Sequence, residues 1–322
     1  MRKLIATMAL AGAMTAAMMS AARAEKDIVF AHVFAANSLE QETAEVFAKK
    51  VAEFSKGELK VTVFPASQLG GWNQIATQQR SGAVHVTIIS TSALGSFSPL
   101  ATVDVWPFIF ETREQFDKAY ASEDGKAFFK AIEAESGYRV LAPTYKGFRN
   151  VYLRHDADDL KGQKIRVPGL PIVLRSFEAW GASPTPMDMA EIYTAMQQGV
   201  VDGIEIEAQT ALSSGMGDVT KTVLMTKHMM PNYAFIFYGA WLDELPEAER
   251  VALEQASAEA SKYFADKIAI AEAQALEAFK PKGANIKEVD LNAMKSQVSG
   301  LDKEFPDQYG WVKRLQAAAG MN

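Results

Sequence analysis

The chain is poor in side chains that make or break bonds. It has four histidines, His32, His85, His155 and His228, and no cysteine. No two histidines stand at a zinc-binding spacing, and there is no glycine-rich phosphate loop or nucleophile elbow. Acidic pairs such as Asp158-Asp159 and Asp243-Glu244 sit beside turns or helix starts, where capping accounts for them. The sequence is therefore read as no enzyme, with no cofactor and no metal. What it can do is recognise. Arg166 lies in a strand halted by Pro168, and its planar, permanently charged fork matches the two oxygens of a carboxylate. Arg149 is a second such fork. Thr185, between Pro184 and Pro186, carries a hydroxyl on a stiffened loop. Each has a blander use: a salt bridge for the arginines, one between lobes in the case of Arg149, and a backbone turn for the prolines.

The elements that must hold these groups follow an α/β rhythm. A strand over 27–33 leads to an amphipathic helix over 38–55, whose Ala44, Phe47, Ala48, Val51 and Phe54 recur at helical spacing. Leu59–Phe64 alternates as a strand, a helix runs to Arg80, and 84–89 is a buried strand. The rhythm predicts a mostly parallel sheet. A second set follows: strands at 138–142, 150–153, Lys164–Val167, 182–186, 222–225 and 233–238, with helices at 171–180 and 188–198. Glu247–Phe279, free of Gly and Pro, reads as a helix long enough to lie across two lobes. Trp106, Phe108 and Phe110 read as core, and Trp180 as packing at a helix end.

The termini and charge narrow the class. Arg2 and Lys3, an apolar run over 4–19 and Ala22-Arg23-Ala24 make residues 1–24 a cleavable signal peptide, too short to anchor in a membrane. Removing it takes away three basic residues and no acid, so the remainder is more acidic than the formal −6 of the whole chain. Nucleic acid is an unsuitable partner for such a surface. A chain of this length without disulfides fits a bacterial envelope protein of two lobes with a ligand cleft between them. The expected division is 25–143 plus 231–271 for one lobe and 144–230 plus 272–322 for the other.

Six segments, in order, carry a resemblance: 63–71 (VFPASQLGG), 147–150 (GFRN), 160–168 (LKGQKIRVP), 181–187 (GASPTPM), 191–197 (EIYTAMQ) and 201–205 (VDGIE). Together they resemble the solute-binding proteins of TRAP (tripartite ATP-independent periplasmic) transporters, dicarboxylate type, over essentially all of the chain after residue 24. The resemblance implies two α/β lobes that close over a solute. It implies a periplasmic receptor that docks transiently on a sodium-driven, two-component membrane permease; a monomer is the expected state, though nothing in the sequence fixes it. It also makes Arg166 the carboxylate clamp and Arg149 a second arginine lining the cleft. A sensor domain feeding a signalling receptor would share the same site.

Departures from the family pattern bear on the solute. Relatives carry Asn-Pro where this chain has Ile206-Glu207, often an aromatic at Met189, and an acid at Trp72. Glu205 and Glu207, if uncompensated, would repel a dicarboxylate. They could instead hold an amine, with Trp72 or Phe34 giving a cation–π face. A zwitterionic or amine-bearing solute thus stands beside a plain organic acid, unless the two acids bond backbone or arginine outside the pocket. Asn37 and Gln41, at the start of the first helix, are expected to face the cleft.

Overall fold

Eleven strands form two sheets in the computed structural model, which describes residues 25–321. The signal peptide expected over 1–24 lies outside the described residues. The first sheet has the order β2-β1-β3-β10-β4, with β1 Lys26–Ala31, β2 Leu59–Phe64, β3 Val86–Ile89, β4 Tyr138–Tyr145 and β10 Asn232–Tyr238. The second has the order β11-β9-β5-β8-β6-β7, with β5 Arg149–Leu153, β6 Lys164–Val167, β7 Ser183–Pro186, β8 Gly203–Glu207, β9 Thr222–Met229 and β11 Asn285–Glu288.

The sheets are mixed, which corrects the mostly parallel expectation. β10 runs antiparallel to both β3 and β4, and β5 antiparallel to both β8 and β9. The chain crosses between the sheets from β4 to β5 and returns from β9 to β10. A strand that re-enters at the seam must run against those that end there. Both outgoing strands are irregular near the crossing: Ala142 in β4 and Lys227 in β9 have left-handed backbones, φ 50° and 42°, where the pairing register shifts.

The first helix, Leu39–Phe54, is capped by Ser38, whose hydroxyl accepts from the Gln41 amide. Its Phe47 stacks on Phe235 of β10 at 4.8 Å, fixing the helix on the sheet. Burying such rings contributes about 1.5–3 kcal/mol each. The long helix occupies Glu247–Phe279, as its composition predicts. At 1.5 Å per residue it is about 50 Å long. Phe264 packs on Tyr233 of the first sheet and Phe279 on Tyr152 of the second, so one helix spans both. The closing helix, Pro306–Ala319, departs from the expected grouping of 272–322 with the second lobe. Its Trp311 packs on Phe128 and its Tyr309 on Trp106, because these aromatics find their apolar surface on the first lobe. No helix of the described residues is long and apolar enough to cross a membrane.

Candidate ligand-binding site

A cavity of about 410 Å³ opens where the two sheets meet, as expected at the strand ends of such folds. The first lobe supplies Phe34, Trp72, Ser90 and Ser92; the second supplies Arg149, Arg166, Met189 and Glu207; Lys146 comes from the crossing between them.

Arg166 sits on β6 between β7 and β8, opposite Thr185 and Ile204. It is only 4% exposed. Its Nε and Nη2 both donate to the Met187 carbonyl, at 2.8 and 2.5 Å, which fixes the plane of the fork. Among the described residues no carboxylate forms an ion pair with it. Burial brings its pKa down to about 10, partly opposed by Glu205, so the group stays cationic at neutral pH. A buried, uncompensated cation facing a cavity is costly unless something negative completes it.

Arg149 is in the opposite condition. It faces Glu207 across the antiparallel β5–β8 pair. Its Nε and Nη2 grip Glu205 through both carboxylate oxygens, at 2.5 and 2.6 Å, and Nη1 donates to Glu207 at 3.3 Å. Glu207 also accepts from Lys146 at 3.2 Å, and His228 Nε2 lies 3.3 Å from Glu205. Burial pushes the Glu205 carboxyl up, but Arg149 and His228 outweigh it and hold it at about 2. Burial likewise opposes the charge on Glu207, and Lys146 and Arg149 overcome it. Burial also keeps His228 below its usual range, with Glu205 pulling the other way. The acids are thus matched by the protein's own cations, which favours the arginine-pairing alternative over the amine, although Arg149 and Glu207 line the cavity rather than lying outside it. The pairing of Arg149 is within one sheet rather than between lobes.

Other expected residues divide. Trp72 and Met189 line the cavity; Glu205 lies behind the wall, and Thr185 is half-buried outside it. Asn37 is exposed and off the wall, because the cap position falls to Ser38 and the chain has already turned outward. The Gln41 amide is spent on His32 and Glu45. The Phe34 ring does offer a cation–π face, but Lys146 Nζ occupies it at 4.5 Å. Trp106 and Phe110 are core, whereas Phe108 is half-buried against Trp180, the residue that ends its helix. Ser90, Ser92 and Lys146 were missed. Ser90 and Ser92 follow directly on the end of β3, the place where ligands collect in such sheets, and Lys146 immediately precedes the Gly-Phe-Arg-Asn motif.

The family described as bacterial extracellular solute-binding protein, family 7 (DctP), matches residues 30–308. The chain is 26% identical over 276 residues to the sialic acid-binding periplasmic protein SiaP of Vibrio cholerae, covering 85% of this chain and 86% of that one. It is 31% identical over 291 residues to the C4-dicarboxylate-binding periplasmic protein DctP of Rhodobacter capsulatus, covering 88% and 86%. Among solved structures, a TRAP periplasmic solute-binding protein from Pseudomonas putida F1 with bound D-glucuronate superposes with a TM-score of 0.85 at 25% identity, covering 91% of this chain and 97% of that one. The sugar acid binding protein DctPAm from Advenella mimigardefordensis, in complex with galactonate, gives 0.87 at 24% identity, covering 92% and 98%.

Proposed function

The chain belongs to family 7 of the bacterial extracellular solute-binding proteins, and from that premise we propose that it captures a small organic acid between its sheets, with Arg166 clamping the carboxylate. As a TRAP solute-binding receptor it works by binding and delivery, not catalysis. The observation that carries the solute class is the buried guanidinium of Arg166, which among the described residues donates to one carbonyl oxygen and to no carboxylate. A carboxylate supplies the missing charge, and its two oxygens match the remaining donors. Closure of the lobes excludes water, and the pair strengthens as the local dielectric falls. The relatives named above for D-glucuronate and C4-dicarboxylates support an acid. The amine-bearing alternative loses its ground, since Glu205 and Glu207 are already paired. The receptor acts as a monomer in the periplasm after loss of residues 1–24, docking on its permease only when loaded.

A thermal-shift screen of organic acids, amino acids, betaines and amines tests this. A ligand at one hundred times its dissociation constant adds about 2.7 kcal/mol of stability. Carboxylates are expected to register. Stabilisation by amines alone would overturn the assignment.

A further inference from the structure

The part of the cavity wall that the first lobe supplies holds a chain of buried hydroxyls with a fixed direction. Ser90 and Ser92 line the cavity, and both are at most 6% exposed. Ser90 Oγ lies 2.6 Å from Oδ2 of Asp104, a residue with no exposed surface, and donates to it. Asp104 Oδ1 accepts from the Tyr120 hydroxyl at 3.0 Å and from the Asn232 amide at 2.9 Å. A hydroxyl has one proton. Ser90 gives its proton to Asp104, so the 2.6 Å contact between Ser90 and Ser92 requires Ser92 to donate. Ser92 then keeps only lone pairs for the cavity.

Resting on the carboxylate-receptor reading, we infer that Asp104 is a positioning residue that turns this wall into a hydrogen-bond acceptor, so that the site selects a monocarboxylate with a hydroxyl at its far end over a dicarboxylate. Arg166 takes the negative end of the solute, and Ser92 accepts a proton from its other end. A second carboxylate there would set acceptor against acceptor, with the Asp104 charge one serine behind. A deoxy analogue would leave Ser92 dry and unpaired. Either loss corresponds to about 10- to 100-fold in affinity, the cost of leaving a buried polar group unsatisfied.

The geometry makes the relay reversible by substitution. In Asp104→Asn the new side-chain oxygen must take the Asn232 N–H, which can only donate, and this leaves the new NH₂ facing Ser90. Ser90 then accepts from that NH₂, its own proton turns to Ser92, and Ser92 becomes free to donate into the cavity. Protonation does the same. Burial raises the Asp104 carboxyl to about 6 against the pull of Ser90, Asn232 and Tyr120. Of the groups facing it, Ser90, Ser92, Tyr120 and Asn232, only Tyr120 also titrates, and burial and Asp104 raise it well above its usual range.

Titration calorimetry on the chain from residue 25 decides the matter, with four- to six-carbon polyhydroxy acids, their terminal deoxy analogues and the matching diacids. At pH 7.5 the wild type should prefer the hydroxy acid, at the chain length that binds tightest, by about 10- to 100-fold over both others. That preference should shrink as pH falls below about 6, where Asp104 takes up its proton. Asp104→Asn should bring the diacid level with the hydroxy acid or ahead of it. Ser92→Ala, which leaves Asp104 and Ser90 bonded, should abolish the hydroxy-over-deoxy preference and its pH dependence even if the Asp104→Asn variant does not fold. Diacids or deoxy acids binding the wild type as tightly as hydroxy acids would overturn the inference and leave the receptor reading standing. Binding of no carboxylate at all would overturn both.

Discussion

Arg166 and Arg149 are the same side chain in strands of one sheet, and their surroundings give opposite consequences. Arg166 is buried without a carboxylate, so it costs the empty protein stability. Arg166→Ala should weaken carboxylate binding by about 2–5 kcal/mol in titration calorimetry. The same variant should leave the unliganded protein at least as stable in urea. Arg149→Ala instead takes the two-pronged partner from buried Glu205 and one of two cations from Glu207, and breaking a buried pair costs about 3–5 kcal/mol. That loss should appear in the urea midpoint of the empty protein. Unchanged affinity in the first variant, or unchanged stability in the second, would reverse the two roles. The residues alone left Arg166 either a salt bridge or a ligand contact; the family resemblance singled it out as the clamp, and the titration tests that role. The state of Arg149 was not legible. Glu205 and Glu207 lie 56 and 58 positions away, and only the β5–β8 register brings them together.

Among elements, the long helix was readable in its extent because 33 positions without Gly or Pro leave few alternatives. The course of β10 was not, because strand direction depends on where the chain re-enters a sheet. The same contrast applies to the crossing from β4 to β5. Gly147 there has φ 114°, open to glycine and strained for other residues, and a Cβ would stand 3.3 Å from Glu272 Oε1. Glu272, on the long helix, accepts from the Phe148 amide at 2.9 Å and the Tyr145 hydroxyl at 2.8 Å, tying the crossing to the spine. Glu272→Ala should raise hydrogen exchange at the Phe148 amide while the β1–β2 amides stay protected. Within the β5–β8 pair, Glu205 is held at about 2, well below the unfolded value of about 4.3 for a glutamate. A depressed carboxyl gives stability that is complete above the unfolded value and fades as pH falls toward the folded one. The stability gap between wild type and Glu205→Gln should therefore be constant above about pH 5 and close toward about pH 2, read from urea midpoints.

At the scale of the molecule, the two lobes meet through a carboxylate that neither lobe needs alone. Glu40, on the first helix, has no exposed surface, and its Oε1 accepts from Gln209 and Thr210 at 2.9 and 3.0 Å. Those two residues lie on Ala208–Ser213, the helix that follows β8 in the other sheet. Lys146 Nζ stands 4.0 Å from the same oxygen and 3.2 Å from Glu207, so the seam joins the paired wall of the cavity. Among the described residues Glu40 Oε2 has no hydrogen-bond partner. Beside the long helix and the Phe108–Trp180 contact, this seam joins the lobes through one oxygen of a buried acid, at a desolvation cost that offsets part of the gain. Such a contact biases an open–closed equilibrium without locking it, as a receptor must if it is to release its solute. Glu40→Ala removes the acceptor for both second-lobe donors and part of the counter-charge to Lys146. The empty variant should populate wider separations, seen as a larger radius of gyration in solution scattering, and a saturating solute should return it to the wild-type value. Affinity should fall by the closure energy lost, about 1–3 kcal/mol for two hydrogen bonds to a charged group, shared between the states. An unchanged radius in the empty variant, together with unchanged affinity, would mean that the seam is fixed and that closure pivots elsewhere.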